Sequence, residues 1–597
     1  KSEDNKIYIL QNEKWEDWWQ WDTSHDIGYL SVRDINVPGV TDEKTRRLKY
    51  SQKDILVFMP GMREIKNTIN HIGEIPGVEV LPLHGKLSPG ERDDALSGQR
   101  SPGIKRRVIV STNAAETSVT VPGVKSVIDS CRQRSVRYNP DTGIVEMGTE
   151  FISQDQADQR AGRAGRISAG DCDRLVTEEQ FKNLEPHPIS EIKKANLSHL
   201  ILRLKSLGID PVEFPYIEPP DKERLERGVE ELKMLGALDE EESITKTGRE
   251  MREMMFEPRL ARMLVEAKRR DRLESALVLA AFEREGMVFL GPSIKDIDNA
   301  NGYNPQDKKL NARRQVEATQ NVFNRGGSDW LRNLNVFAAA MRKGVVDVAM
   351  PSRSPLGEEE LKRVRRDYKK WCRDHHLKDQ ALSHVAYRLK DYARYMRVRL
   401  DYDTLSEKLK SASDSDLATV ILAGHPDLLY YSDGGGRGMP SYYPLDQSRE
   451  RSVVNISPGS VAFKQDPSFF VASRIQQGKG TARGRETTRN YADGIQPISL
   501  EQMREVLPHL IYESPGTAQY DAVSGQVMRE VDFYPKGTTA VNLGRESRLV
   551  TGEEAARIFA DALARGQVQL EGTELLKRNQ EVITTLNDLW IRAGGKI

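Results

Sequence analysis

The feature that most constrains the fold is a series of four short apolar runs rich in β-branched residues near the start of the chain. The runs are Ile55–Phe58, Val78–Leu81, Arg107–Val110 and Ser126–Asp129. Polar stretches long enough for helices separate them, and this alternation is typical of a parallel sheet covered by helices. We therefore predict an α/β domain in this part of the chain.

An arginine-rich block follows the last of these runs. In Gln159–Arg166 three arginines stand at spacings of three, with glycines that allow the backbone to approach a ligand closely. The planar, always charged guanidinium suits a phosphoryl group, whose charge spreads over several oxygens. A solvated basic loop is the alternative for such a block alone. Upstream, Tyr138–Gly143 predicts a hairpin turn, and Ser153 predicts the cap of a helix that begins at Gln154.

Helical periodicity replaces this pattern beyond about residue 180. Ile189–Leu207 and Leu225–Leu238 predict two helices, and with the turn and cap at 239–249 they indicate a winged helix. Residues 251–410 are predicted to be mostly helical, with an irregular stretch near 291–310. Short strands and Gly-rich loops at 415–511 are typical of an oligonucleotide-binding (OB) barrel, and a hairpin and a helix are predicted after Tyr512.

Bulk composition limits the function classes. The chain has 597 residues, and its 89 acidic and 89 basic residues balance, so any nucleic-acid site must come from local clusters. No apolar run approaches the ~20 residues of a membrane span, so no membrane partner is predicted. Cys131, Cys172 and Cys372 are far apart, which argues against a disulfide framework or zinc cluster and favours a reducing, cytoplasmic location.

Residues 1–50 give the weakest pattern. The chain opens inside a strand-like run at Lys6–Leu10, so an earlier segment is expected to be missing. Four tryptophans crowd together among acidic residues, at Trp15, Trp18, Trp19 and Trp21. An aromatic cluster packed on a sheet is favoured over a base-stacking platform, because positive charge is absent there.

Three ordered blocks resemble motifs IV, V and VI of the DEAH-box helicases. They are Asp54–Gly61, Ser111–Ser118 and Gln159–Arg166. Further blocks resemble the winged-helix, helical "ratchet" and barrel regions of that family, at Leu200–Gly208, Leu235–Leu238, Thr247–Met251, Ser328–Leu331, Leu334–Phe337, Trp371–Cys372 and Ser457–Val461. The likeness covers about residues 50 to 511, and Tyr520–Asp521 with Val527–Arg529 is more similar to bacterial Hrp-type members than to splicing ones.

The resemblance implies a five-part organisation. It consists of a second RecA-like helicase domain at 1–177 with 1–50 as its edge, a winged helix at 178–250, a helical ratchet domain at 251–414, an OB-like barrel at 415–511 and a C-terminal extension at 512–597. The implied activity is ATP-dependent 3′–5′ movement along single-stranded RNA. A non-catalytic RNA-binding scaffold derived from a helicase, or a DNA-directed helicase, are the alternatives.

The resemblance also implies roles for single residues. Arg163 and Arg166 match arginine fingers that reach the nucleotide phosphates, and Gln159 matches the glutamine that positions the attacking water. Arg160 is expected to form internal salt bridges instead. Thr112 and Gly61 match contacts to an RNA phosphate.

A second group matches the nucleotide-facing part of the family site. Ser118 and Thr120 belong to it, and Leu96 stands near a position where eukaryotic members stack adenine on phenylalanine. Ordinary capping is the alternative for Thr112, Ser118 and Thr120. Two departures from the family pattern are Pro122, which stands in place of an aspartate that contacts ribose, and Ser457, which stands in place of a histidine.

The sequence contains neither a Gly-x-x-x-x-Gly-Lys-Ser/Thr phosphate loop nor Asp-Glu-Ala-His. The nearest imitation, Gly478–Thr481, is interpreted as a flexible basic loop. ATP and Mg²⁺ are therefore expected to be held mainly by a first RecA-like domain in cis that is missing here, so that the chain binds RNA but does not hydrolyse ATP alone.

Two basic segments remain. Lys479, Arg483 and Arg485 lie in a Gly-rich stretch that either contacts the backbone of a single strand or is a solvated loop. The run at 362–370 is more typical of a solvated helix face.

Overall fold

The computed structural model describes residues 8–9, 19–22, 27–30, 54–85, 87, 89–116, 120–138, 145–164, 166, 169–286, 288–292, 294–301, 304–432, 440–446, 453–482, 485–537, 539, 541–565, 567–568 and 579–592. The chain divides into two compact units. The first comprises Lys1–Asn139 with Val145–Ala195, and the second Pro140–Ile144 with Asn196–Ile597.

The first unit is an α/β domain, as predicted. Its strands are β1 (Tyr8–Ile9), β2 (Trp19–Asp22), β3 (Ile27–Leu30), β4 (Asp54–Phe58), β5 (Val78–Leu83), β6 (Arg106–Ser111), β7 (Val124–Asp129), β8 (Arg132–Tyr138), β9 (Val145–Phe151) and β10 (Asp171–Arg174). Its helices are α1 (Met62–Ile72), α2 (Pro89–Leu96), α3 (Gln154–Ala161) and α4 (Glu178–Lys182). Six strands form a parallel sheet in the order β1-β10-β7-β4-β6-β5.

Strand β4 shows why this sheet is stable. Leu56 and Phe58 belong to one buried apolar cluster, whereas Ile55 and Val57 belong to another. Successive strand side chains point to opposite faces, so the sheet is buried on both sides, as a parallel sheet requires.

Two local predictions in this unit are confirmed. Strands β8 and β9 form an antiparallel hairpin in which Tyr138 pairs with Val145, and the predicted turn between them lies outside the described residues. Ser153 caps helix α3 and forms a capping box with Gln156, which supplies partners for the free amides of the first turn. The predicted tryptophan cluster falls almost entirely outside the described part of the chain, apart from the backbone of β2.

The second unit is mainly helical. Its helices are α5 (Ser198–Ser206), α6 (Lys222–Met234), α7 (Lys246–Glu253), α8 (Pro258–Arg269), α9 (Leu273–Glu285), α10 (Ile294–Asn299), α11 (Pro305–Gln320), α12 (Asp329–Arg342), α13 (Val345–Ala349), α14 (Glu358–Asp374), α15 (Asp379–Tyr395), α16 (Tyr402–Ser411), α17 (Asp414–Gly424), α18 (Leu500–Val506), α19 (Gly552–Ala564) and α20 (Gln580–Arg592). Its strands are β11 (Leu429–Ser432), β12 (Tyr442–Pro444), β13 (Asn455–Ile456), β14 (Phe469–Val471), β15 (Arg474–Ala482), β16 (Arg485–Asp493), β17 (Gln496–Pro497), β18 (Ile511–Asp521), β19 (Gln526–Pro535) and β20 (Gly544–Leu549).

Two helix predictions in this unit need correction. The predicted helix at Ile189–Leu207 begins only at Ser198, and the residues before it contain a short 3-10 turn at Glu191–Lys193. The stretch near 291–310, predicted to be irregular, contains α10 and the first part of α11. Asn304 caps α11 and Pro305 occupies its first turn, so polar and proline residues here mark a helix start.

Two small sheets follow the helices, in the orders β12-β11-β14-β17 and β13-β16-β15. The interpretation of Gly478–Thr481 as part of a flexible loop is wrong. These residues lie within β15, which pairs with β16 from Arg474–Asp493 to Ala482–Arg485. Pairing of the backbone along nine positions offsets the weak strand preference of glycine.

The blocks Ser328–Leu331 and Ser457–Val461 lie more than a hundred residues apart in the sequence, and they meet at Asp329. Its carboxylate accepts hydrogen bonds from the Ser460 hydroxyl at 2.7 Å, from the Val461 amide at 2.8 Å and from the Ile495 amide at 2.9 Å. Burial raises the pKa of Asp329, although these donors oppose the rise. The contacts tie α12 to the segments that flank the two small sheets.

The last segment begins with a hairpin, β18–β19, and ends in helix, as predicted. Strand β20 completes an antiparallel sheet, and Val527 and Phe559 share a buried cluster between this sheet and α19. Among the described residues, no helix is long and apolar enough to cross a membrane.

Candidate functional site

The candidate site lies where the parallel strands of the first unit end. Strand β4 ends at Phe58 and leads to Gly61, and strand β6 ends at Ser111 and leads to Thr112. The Met59 amide donates a hydrogen bond of 2.7 Å to the Ser111 carbonyl, which holds the two exits together. Ligands of open parallel sheets bind at this carboxyl edge.

Gly61 immediately precedes α1 and is buried. A Cβ atom at this position would lie 2.9 Å from both Arg134 Nε and Glu64 Oε2. Arg134 and Glu64 form an ion pair of 3.0 Å directly beside it. Only glycine therefore fits between this pair and the strand end without a shift of the neighbouring side chains.

Thr112 is buried, and its hydroxyl oxygen accepts a hydrogen bond from the Ala114 amide at 3.4 Å. This contact caps the short turn at Asn113–Ala115. The capping alternative is therefore present in the structure. The bond is long, so the hydroxyl keeps capacity for a second partner.

Arg160 is the centre of the site and forms the internal salt bridges that we predicted. Its Nε donates to Glu116 Oε2 and its Nη1 to Asp129 Oδ1, each at 2.9 Å. The guanidinium also lies over the Phe58 ring, 4.9 Å from the ring centroid. The side chain is 1% exposed. Burial alone would lower the pKa of Arg160, but the two carboxylates outweigh it and raise that pKa.

The two predicted finger arginines extend from the end of α3 toward the segment that follows β6. Arg163 donates to the Glu116 carbonyl, and Arg166 donates to the Thr120 hydroxyl. Arg163 is partly buried and Arg166 is exposed. Burial, and then the charge of Arg166, lower the pKa of Arg163. Two cations are thus held close together, an arrangement that attracts an anion.

The other predicted site residues differ in exposure, and some lie outside the described part of the chain. Gln159 is exposed on α3, and Thr120 is exposed beside Arg166. Leu96 ends α2 and packs partly buried against the apolar cluster around Leu56. Ser118 and Arg483 lie outside the described residues, as do the side chains of Lys479 and Arg485.

Sequence reasoning missed Glu116 and Asp129, which hold Arg160. A signal was available for each residue. Glu116 lies inside the Ser111–Ser118 block, and Asp129 is a carboxylate at the carboxyl end of a buried strand. Buried charges are rarely unpaired, so an acid in such a position predicts a basic partner.

The site has positive charge that suits phosphate. Arg163 and Arg166 supply positive charge, whereas the described residues contain no group of His, Cys, Asp or Glu side chains that could hold a metal. The two arginines therefore suit an anionic ligand such as phosphate.

Comparisons with known proteins find similar helicases. Residues 41–168 match the family "Helicase conserved C-terminal domain", and residues 228–254 match "Helicase associated domain (HA2), winged-helix". The ATP-dependent RNA helicase HrpA of Escherichia coli is 28% identical over 495 residues, which are 80% of this chain and 33% of that protein. The chain thus spans about a third of the length of this relative.

Two further proteins are similar. The Arabidopsis thaliana pre-mRNA-splicing factor ATP-dependent RNA helicase DEAH10 is 28% identical over 466 residues, 76% of this chain and 58% of that protein. The crystal structure of the E. coli DExH-box NTPase HrpB has a TM-score of 0.52 at 20% identity, covering 88% of this chain and 52% of that one. In sequence and in fold, the chain is similar to the C-terminal portion of DEAH-box helicases of the Hrp type.

Proposed function

We propose that this chain is the part of an ATP-dependent 3′–5′ RNA helicase that faces the nucleotide from one side and grips single-stranded RNA. One observation carries the proposal: buried Arg160 fixes helix α3, which carries Gln159 and leads into Arg163 and Arg166, against the sheet edge where Thr112 lies. The side chains assigned to nucleotide and those assigned to RNA would then be held by the same edge of the parallel sheet.

Each side chain has a distinct role in this proposal. Arg163 and Arg166 leave their partners at Glu116 and Thr120 and supply charge to the phosphates, and Gln159 orients the attacking water. When bound, ATP with Mg²⁺ supplies the transferable phosphoryl group. A phosphate-loop domain would hold them, because this sequence contains no such loop.

The remaining nucleotide contacts are assigned to Ser118, Thr120 and Leu96. Thr120 supports this assignment, because its exposed hydroxyl already binds Arg166. Leu96 would present an aliphatic edge to the base and thus discriminate weakly between bases. Its partial exposure leaves one side available.

In the first unit, RNA contacts are assigned to Gly61 and Thr112, and in the second unit a separate set of contacts is assigned to the β15–β16 hairpin. We propose that the two small sheets form the OB-like barrel at 415–511, and we retain the domain boundaries given above. Lys479, Arg483 and Arg485 would contact phosphates from the hairpin. The three cysteines are free, which suits a reducing cytoplasm.

We expect the purified chain alone to bind ATP weakly and not to hydrolyse it, because it contains no phosphate-loop lysine and no magnesium carboxylate. Phosphate release is measured with and without RNA against a blank that lacks protein. RNA-stimulated release clearly above the blank would contradict this expectation.

We expect single-strand binding by the chain to weaken with salt, with a log–log slope of roughly −0.7 per phosphate neutralised. Replacing Lys479, Arg483 and Arg485 together by alanine should weaken binding and flatten the slope by up to about two units. We expect a partial effect, because Lys479 and Arg485 belong to strands, whose residues alternate between two faces.

A salt titration of a fluorescent oligonucleotide measures this slope. The matched control replaces Arg363, Lys369 and Lys370 by alanine, three exposed cations of α14, and should leave the slope unchanged. Identical slopes for the hairpin variant and the unaltered chain would remove the hairpin from the RNA path. Competition between RNA and DNA strands tests the preference for RNA.

A further inference from the structure

Helix α15 has an exposed aromatic face opposite the face that it buries. Leu382, Val385 and Leu389 are buried, whereas Tyr387 and Tyr395 are 48% and 64% exposed. Among the residues whose side chains the structure describes, one other tyrosine, Tyr512, is exposed. Two of three exposed tyrosines therefore lie on a single helix, eight residues apart.

Each of these rings has a cation over one face, so that the opposite face is the one on which a base would stack. Lys390 Nζ lies 4.0 Å from the centroid of the Tyr387 ring, and the guanidinium carbon of Arg394 lies 5.5 Å from the centroid of the Tyr395 ring. In helix α15 these four residues occupy positions i, i+3, i+7 and i+8, counted from Tyr387, and such positions share one helix face. Exposed Arg397 continues the positive charge beyond the helix end.

Acidic groups near this face do not cancel its charge. Asp391 lies 3.8 Å from Lys390, and Glu285 pairs with Arg388. Arg394 and Arg397 add two further positive charges, so the face keeps a positive excess.

The chemistry of the face indicates its ligand. Aromatic rings stack on bases of any identity, and cations beside them neutralise the connecting phosphates. The two rings are separated by about 12 Å along the helix axis, room for about three stacked bases. An acidic peptide would engage the cations but offers no planar partner for the rings.

We propose that the face formed by Tyr387, Lys390, Arg394 and Tyr395 binds single-stranded nucleic acid by stacking bases on the two tyrosines. The identification of that strand as RNA rests on the proposed function. The stacking geometry rests on α15 alone and does not depend on the arginine block of the first unit.

Equilibrium binding of a short single-stranded RNA to the full chain tests the proposal. We expect Tyr387→Ala and Tyr395→Ala each to weaken binding by about tenfold. Tyr387→Phe and Tyr395→Phe keep the ring and should bind normally. The matched control is Tyr512→Ala, which replaces an exposed tyrosine on β18 and should also bind normally.

A strand of equal length and charge without bases separates stacking from phosphate contact. The alanine variants should bind this strand no more weakly than the unaltered chain does.

Three results would overturn the proposal in distinguishable ways. Equal RNA binding by the alanine variants and the unaltered chain would remove α15 from the site and leave the proposed function standing. An equal loss on the strand without bases would show a purely electrostatic surface, which an acidic protein could also use. No RNA binding by the unaltered chain would overturn both this proposal and the proposed function.

Discussion

Replacing Arg163 or Arg166 by alanine should reduce RNA-stimulated ATP hydrolysis by about 10³-fold or more in a protein that joins this chain to a phosphate-loop domain. Charge spreads over the equatorial oxygens of the phosphoryl group in the transition state, and a fixed guanidinium stabilises it there more than in the ground state. RNA binding should remain nearly unchanged, because neither arginine is assigned to the RNA path. Turnover and RNA affinity are measured on the same preparations.

Lysine at either position should not restore turnover, because it lacks the planar fork of donors. Lys182→Ala removes an exposed cation from α4 of the same unit and serves as the matched control, with turnover expected to be normal. Near-normal turnover of Arg163→Ala or Arg166→Ala would show that the residue is not a finger.

The second large effect is expected on folding. Replacing Arg160 by alanine should lower the free energy of unfolding of the first unit by about 3–5 kcal/mol. The change leaves the carboxylates of Glu116 and Asp129 buried without their partner, and Asp129 has no exposed surface. It also removes the cation from the Phe58 ring.

Native-state hydrogen exchange measures this loss in the strands concerned. The slowest amides of β4 and β7, such as those of Leu56 and Val127, should exchange about 10² to 5 × 10³ times faster in the variant. Arg163→Ala is the control, since Arg163 is only partly buried and donates to a backbone carbonyl rather than to a buried carboxylate. A change of less than tenfold in the Arg160 variant would mean that the ion pairs contribute little to folding.

Much of the first unit follows from local sequence patterns. The apolar runs predicted four of the six strands of the parallel sheet, and each observed strand, such as β4 at Asp54–Phe58, begins and ends within two residues of its run. Ser153 fixed the start of α3 because an N-cap satisfies amides of the same turn. The salt bridges of Arg160 were also predicted, although their acidic partners were not.

The failures have physical causes that local patterns do not contain. Strand β10, Asp171–Arg174, is polar and gives no strand pattern, yet pairing with β1 and β7 places it inside the sheet. Strand β15 contains two glycines and becomes a strand through its pairing with β16. The contact of Asp329 with Ser460 joins distant parts of the chain, so only the tertiary structure reveals it.

The central claim is that this chain supplies one side of a split nucleotide site and links it to RNA. ATP hydrolysis by a single polypeptide, with a phosphate-loop domain placed before this chain, tests the claim most directly when measured with and without RNA. We expect RNA-stimulated hydrolysis in that polypeptide, none in this chain alone, and loss of the stimulation when Arg163 and Arg166 are both alanine. Equal hydrolysis by the phosphate-loop domain without this chain, or undiminished stimulation in the double variant, would contradict it.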